Sequence, residues 1–252
     1  MADALIGHTG FVGSNLLRHG DFAGLYNSRN IEAIAGRSFD RVVCCGVSAT
    51  KWMANKNPEQ DWKDIERLLG CLGRVEAGRF VLISTIDVYQ SPAGVTERDI
   101  PADDHPEAYG RHRRAIERFV EARFAPHHVV RLPGLFGPGL KKNAIYDMMH
   151  ANRVELIDPA ARFQWYPVAR LAQDLAAIEA SDLPVLNIAS EPMPTGAIAA
   201  RFFPQAVLAP PGATPPAYDM RTDHAALLGG RGDYHLDRAT VMQALDDYLA
   251  AA

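Results

Sequence analysis

The sequence predicts an α/β fold, a doubly wound parallel sheet with a smaller C-terminal lobe, on three observations. A glycine turn within the first fourteen residues joins a short apolar run to a helical stretch. Further short apolar runs recur along the chain with helical stretches between them, the pattern of parallel strands joined by crossovers. After residue 133 the texture changes to prolines, glycines and clustered aromatics.

The first strand is Ala4 to Gly7, and the turn is Gly7-His8-Thr9-Gly10-Phe11-Val12-Gly13. Gly7 permits a tight turn, Gly10 leaves room for a close backbone approach, and Gly13 allows the following helix to pack on the strand. That helix, read over Asn15 to His19, points its N-terminus and its positive dipole end at the turn. Ala23 to Asn27, Arg41 to Val47, Phe80 to Thr85, His128 to Leu132 and Pro184 to Ala189 read as the remaining strands. Asp61 to Leu72, Glu107 to Phe124 and Leu171 to Ala180 read as helices. The second of these is the clearest, because Ile116, Phe119, Val120 and Phe124 form one apolar stripe behind Pro106. Beyond it come Pro138, Gly139, Lys141-Lys142, the cluster Phe163-Gln164-Trp165-Tyr166, and a proline-rich surface loop over Pro204 to Pro216. The core is expected over 1–133 with 166–190, and the lobe over 134–165 with 191–252.

Composition excludes several classes. With 48% apolar and 22% charged residues and a net charge of -4, the chain is ordinary for a globular protein and lacks a basic nucleic-acid footprint. Cys44, Cys45 and Cys71 show no metal-ligand or disulfide spacing, and the first two sit in an apolar run, so buried thiols and no metal are expected. No apolar run reaches the roughly 18 residues of a membrane span, and the first strand leaves no place for a signal peptide. A cytoplasmic compartment is expected.

Three segments carry chemistry. Ser84 and Thr85 close an apolar strand at its carboxyl end, where ligands bind in open α/β sheets, with Ile86-Asp87-Val88-Tyr89 after them. Tyr109 and Arg113 stand four apart at the start of the clearest helix and share a face. Val130-Arg131-Leu132-Pro133-Gly134 ends the next strand in a glycine-proline turn. The histidines form no metal or triad spacing and receive no catalytic part, His112 being placed on the outer side of its helix.

These residues resemble the extended short-chain dehydrogenase/reductase superfamily, in its nucleotide-sugar epimerase, dehydratase and reductase branch, over residues 4 to 190. The resemblance implies a Rossmann-type core and a C-terminal substrate lobe. It implies that Gly7, Thr9, Gly10, Phe11, Val12, Gly13, Cys45, Gly46, Ser84, Tyr109, Arg113 and Pro133 bind NAD(P), and that the catalytic residues are Thr85, which orients the substrate oxygen, Tyr109, which exchanges its proton, and Arg113, which assists Tyr109. The family's Tyr-x-x-x-Lys pair is here Tyr109 and Arg113. A guanidinium can bind ribose and favour a phenolate by its charge, but it cannot release a proton. Arg29, after the second strand, favours NADP(H), while Glu32 keeps NAD(H) open. Ser48, Lys51, Asp87, Lys141, Lys142 and Asn143 are candidate substrate contacts, and Trp52 is a further lining residue or a core anchor. Ile86 can act as neither acid nor base, which disfavours dehydration.

The implied activity is NAD(P)-dependent reduction or epimerisation of a nucleotide-linked sugar. The alternative is a non-catalytic NAD(P)-binding sensor or partner protein, and a homodimer through the Glu107 to Phe124 helix is left open.

Overall fold

A computed structural model describes residues 2–251. In chain order the elements are β1 (Ala4–Ile6), α1 (Phe11–Leu17), β2 (Gly24–Tyr26), β3 (Ser38–Cys44), α2 (Lys51–Lys56), α3 (Pro58–Leu72) and β4 (Glu76–Thr85). They continue with β5 (Ala93–Val95), α4 (Ala108–Arg123), β6 (His127–Leu132), β7 (Gly134–Phe136) and α5 (Ala144–Met149). Then follow β8 (Arg162–Phe163), β9 (Trp165–Pro167), α6 (Leu171–Glu179), β10 (Val185–Asn187), β11 (Met193–Pro194), α7 (Thr195–Phe202), β12 (Asp219–Met220) and α8 (Arg238–Ala250). No helix among the described residues is long and apolar enough to cross a membrane.

The principal sheet is parallel, with strand order β10-β6-β4-β3-β1-β2. The order runs outward in both directions from the β1–β3 neighbours, which makes the fold doubly wound. Register places Ile6 beside Tyr26 and Cys44, and Cys44 beside Leu82, so β1, β2 and β3 end at one level and β4 runs three residues further in the same direction. Gly7, Asn27, Cys45 and Thr85 therefore all emerge at the carboxyl edge. On one face of the sheet Ile65, Leu68 and Leu72 of α3, Ile116 and Val120 of α4, and Phe124 just after it pack against Val42, Cys44, Phe80 and Leu82. Phe80 and Phe124 stack with ring centroids 4.2 Å apart. Each such side chain contributes about 1.5–3 kcal/mol by leaving water.

The strands and helices read from the sequence are all present, with shifted ends. α1 begins at Phe11, directly on the glycine turn, rather than at Asn15. α2 has no counterpart among the helices read from the sequence. On α4, His112 is buried beside Trp62, not on the outer side. The outward positions of α4 are Arg118 and Ala122, so its exposed side carries no broad apolar patch among the described residues.

The chain divides into two compact units. The first runs to Gln90 and resumes over Asp99–Arg131 and Leu171–Leu186, and it holds the sheet. The second comprises Ser91–Arg98, Leu132–Arg170 and the chain from Asn187 onward. Its strands are short pairs, β11 with β8, β12 with β5, and β7 with β9. Gln164 supplies the cross-linking that such short strands lack. Its buried amide donates to the carbonyls of Ser190 and Met220, both at 2.6 Å, and accepts the Met220 N–H at 2.7 Å. Segment 91–98 joins this unit because β5 pairs with β12 and because Glu97 accepts from Thr222 and from the Asn187 and Asp223 N–H groups.

Candidate active site

The glycine turn follows from sterics. Gly7 adopts φ +81°, in the left-handed region, and a Cβ there would lie 2.9 Å from the Cys45 carbonyl. A Cβ on Gly13 would overlap the Gly7 carbonyl oxygen. Glycine at both positions brings β1, the end of β3 and α1 together into a turn whose backbone a pyrophosphate can approach, so these residues fit a dinucleotide. Thr9 and Gly10 are exposed, and Phe11 and Val12 are half-buried. His8 and Asn27 hold the turn to the end of β2 through a 3.1 Å contact between Nε2 and the side-chain amide nitrogen. Arg29 is exposed just beyond, its N–H bonded to Asn27.

At the end of β4, successive side chains point to opposite faces. Thr85 lies beside Tyr109, close enough for its hydroxyl to favour the phenolate. Ser84 faces the other way, donating to Glu117 at 2.5 Å. The Thr85 hydroxyl also accepts the Asp87 N–H at 3.2 Å, which starts the single 3-10 turn over Ile86–Val88. That turn lies against α4 because residue 110 is glycine: a Cβ there would overlap the Asp87 carbonyl oxygen and meet the His105 ring at 2.8 Å.

Tyr109 is buried, and the Arg113 guanidinium lies over its ring at 4.1 Å, as their spacing of one helical turn requires. Arg113 is also held from α3. Asp61 accepts from its two terminal nitrogens at 2.5 and 3.0 Å, and the Ser48 carbonyl accepts from it as well. Burial pushes the Tyr109 phenol above its ordinary value. Arg113, Thr85 and Lys51 pull it down, and Asp87 pushes it up. The net direction is upward, so the phenol is protonated at neutral pH.

The segment carrying α2 and α3 grips the start of α4 at three points. Lys51 reaches Asp87 and Glu107, both at 2.9 Å. Asn55 accepts the Tyr109 N–H at 2.9 Å, and Asp61 holds both Arg113 and the His112 ring nitrogen, the latter at 2.8 Å. The hydrogen bond from Lys51 holds the Glu107 carboxyl below its usual value. Trp52, beside Lys51, is 62% exposed and is no core anchor. Ser48 is exposed and half-buried Cys45 and Gly46 lie at the end of β3. Burial raises both the Cys44 thiol, to about 12, and the Cys45 thiol, which keeps them unreactive.

Beneath Ser84 lies a buried ion cluster. Glu117, fully buried, accepts from Ser84, from Arg131 at 3.0 and 2.8 Å, and from Arg114 at 3.0 Å. Arg131 also donates to the Tyr89 hydroxyl at 2.7 Å. The sequence alone assigns no site role to Asn55, Asp61, Glu117 or Arg131. Two signals point to the last two: Glu117 continues the one-turn spacing of Tyr109 and Arg113, and Arg131 is a charge inside an apolar strand.

Other expected site residues lie in the second unit. Lys141 and Lys142 are exposed, and Pro133 is buried. Asn143 caps α5: its side-chain oxygen accepts the Tyr146 N–H at 3.1 Å and its amide donates to Leu135 at 2.8 Å. Among the described residues no group of three or more His, Cys, Asp or Glu could hold a metal.

No protein-family model and no curated protein matches the sequence. Solved structures share its fold. A dTDP-4-dehydrorhamnose reductase from Clostridium acetobutylicum superposes with a TM-score of 0.76 at 17% identity, covering 100% of this chain and 99% of that one. The Bacillus anthracis dTDP-4-dehydrorhamnose reductase in complex with NADP gives 0.75 at 16%, covering 99% and 98%. The Thermotoga maritima UDP-glucose 4-epimerase with UDP-glucose gives 0.75 at 14%, covering 100% and 99%. The chain thus has the fold of nucleotide-sugar reductases and epimerases.

Proposed function

We propose that the protein is an NAD(P)-dependent enzyme that reduces a carbonyl group of a nucleotide-linked sugar, with Tyr109 as proton donor. The observation that carries this reading is the Thr85–Tyr109 hydroxyl pair at the carboxyl edge of β4, with Arg113 stacked on the phenol. Support comes also from the glycine turn at the same edge, and from structures of the same fold that are reductases and epimerases of such sugars, one of them an NADP complex.

A bound nicotinamide dinucleotide supplies the hydride. Gly7, Gly10 and Gly13 would hold its pyrophosphate, and Arg29, exposed after β2, would favour the 2'-phosphate of NADP(H). Thr85 would orient the substrate oxygen, and Tyr109 would give it a proton. Because burial keeps the phenol protonated, donation in the reducing direction suits this site better than abstraction from an alcohol. Arg113 lowers the cost of the phenolate left behind, but its donors already serve Asp61 and Ser48, so its part is electrostatic.

Turnover of dTDP-4-dehydrorhamnose or another nucleotide-linked ketosugar with NADPH, by wild type and by Tyr109→Phe, tests the reading. The expected result is a loss of about 10²–10⁴-fold in kcat with NADPH binding retained. Unchanged turnover in the variant would show that Tyr109 is not the donor.

The second reading, a dinucleotide-binding protein without turnover, draws on the Asp61–Arg113 pair, which occupies the cation beside the phenol. Arg113→Lys separates the two. Lost turnover marks arginine as the working residue, and turnover gained from an inactive wild type supports the second reading.

A further inference from the structure

We propose that Asn55, delivered by α2, is the positioning residue for Tyr109: it caps the first turn of α4 from outside that helix and so sets where the phenol stands. The inference rests on the reading of Tyr109 as proton donor. The first N–H groups of a helix have no carbonyl partner within it, and the residue just before the helix usually supplies one from its own side chain. Here that residue is Glu107, and its side chain makes no such bond. Its carboxylate reaches Lys51 instead, at 2.9 Å. The Asn55 side-chain oxygen takes that place, accepting the Tyr109 N–H at 2.9 Å from 54 residues earlier in the chain.

The N–H so held belongs to the reacting residue itself, next to the Cα that carries the phenol. Lys51 and Asn55 stand four apart and share one face of α2, and that face meets the start of α4: Lys51 reaches Asp87 and Glu107, and Asn55 takes Tyr109. Ala54 alone of α2 is buried, so these polar contacts do the holding that an apolar stripe does elsewhere. The next residue along, Gly110, packs so closely on the turn after β4 that a Cβ there would overlap the Asp87 carbonyl oxygen. The Tyr109 backbone is thus gripped from α2 at its N–H and from the end of β4 at the following residue, while the Arg113 guanidinium lies over its ring at 4.1 Å. Tyr109 is buried, so loss of the Asn55 oxygen leaves its N–H unpaired away from water, and the first turn must open toward solvent to satisfy it. That movement carries the phenol away from Thr85 and Arg113, and a misplacement of about 1 Å in a reacting group costs on the order of 10²-fold in rate.

The full-length protein tests this with Asn55→Ala, which removes the acceptor, and Asn55→Asp, which keeps it. The first readout needs no substrate: the alkaline phenolate absorbance of Tyr109, taken as the difference between each protein and the same protein carrying Tyr109→Phe. Burial is what raises that phenol, and the ionisable groups acting on it are Arg113 of α4, Asp87 of the turn after β4 and Lys51 of α2, none of which Asn55→Ala replaces. The midpoint should fall by about half a pH unit in Asn55→Ala, roughly a threefold change in proton affinity, as the ring gains water, whereas Asn55→Asp should not lower it. The second readout is turnover of dTDP-4-dehydrorhamnose with NADPH. In Asn55→Ala kcat should fall on the order of 10²-fold with KM for NADPH within about twofold, and Asn55→Asp should recover most of the loss. A phenol midpoint that does not move in Asn55→Ala, or a kcat that stays at the wild-type value, overturns the proposal, because a merely structural bond would lower the urea midpoint alone. Asn55→Ser, whose shorter side chain leaves the N–H out of reach, takes the place of an alanine variant that does not fold. A wild type that turns nothing over counts against the enzymatic reading, and the phenol midpoint then decides on Asn55 by itself.

Discussion

Glu117 shows how much a single side chain can hold. Buried away from water, it accepts from Ser84, Arg114 and Arg131, and so fixes the last residues of β4 to the middle of α4. Glu117→Ala would leave the buried Arg131 without its carboxylate, while Arg114 keeps Glu121 at 2.8 Å, and it should cost about 3–5 kcal/mol, read as a lower midpoint in urea. A loss under about 1 kcal/mol would mean that Arg131 finds another partner. The Tyr109–Arg113 stack could be read from the sequence because helical spacing alone brings such residues together. Asp61, by contrast, meets Arg113 from a different helix, and no local pattern announces a partner so far along the chain. Arg131 is an intermediate case, since a charge in an apolar strand declares that a partner exists without naming it.

The strand, turn and helix at the N-terminus depend on packing so close that one methyl group decides it. Gly13→Ala would drive a Cβ into the Gly7 carbonyl oxygen, so the turn must open. The expected result is a loss of about 1–3 kcal/mol in stability together with weakened NADPH binding, measured by urea unfolding and by fluorescence titration. Full stability with intact binding would show that α1 can shift without consequence. This element was legible because its glycines and flanking apolar runs are local signals. α2 was not, for a physical reason: in its six residues only Ala54 is buried, so there is no apolar stripe to set a period. The starts of β3 and β4 were read three and four residues late because their leading residues, Ser38 and Glu76, are exposed and polar.

At the scale of the molecule, the strands and crossovers were legible and the second unit was largely not, since strands of two or three residues are too short to show alternation. Across both units, protonation should shape stability in a predictable way. Burial and, for Tyr234, a 2.5 Å bond to Asp219 raise the phenols of Tyr109, Tyr234 and Tyr248, with Tyr234 at about 12. Groups whose folded values exceed their unfolded ones stabilise fully below the unfolded value of about 10 and lose that contribution as pH climbs through the folded values. Urea midpoints should therefore hold up to about pH 10 and fall above it, with a shallower fall in Tyr234→Phe. A fall of the same steepness in that variant would remove Tyr234 from the account. The exposed ring of Trp52 has a practical consequence of another kind. Trp165 is buried and Trp62 is half-buried, so red-edge excitation should select Trp52, and Trp52→Phe should remove the long-wavelength emission. Standing one residue from Lys51, that indole makes the protein its own unlabelled optical probe.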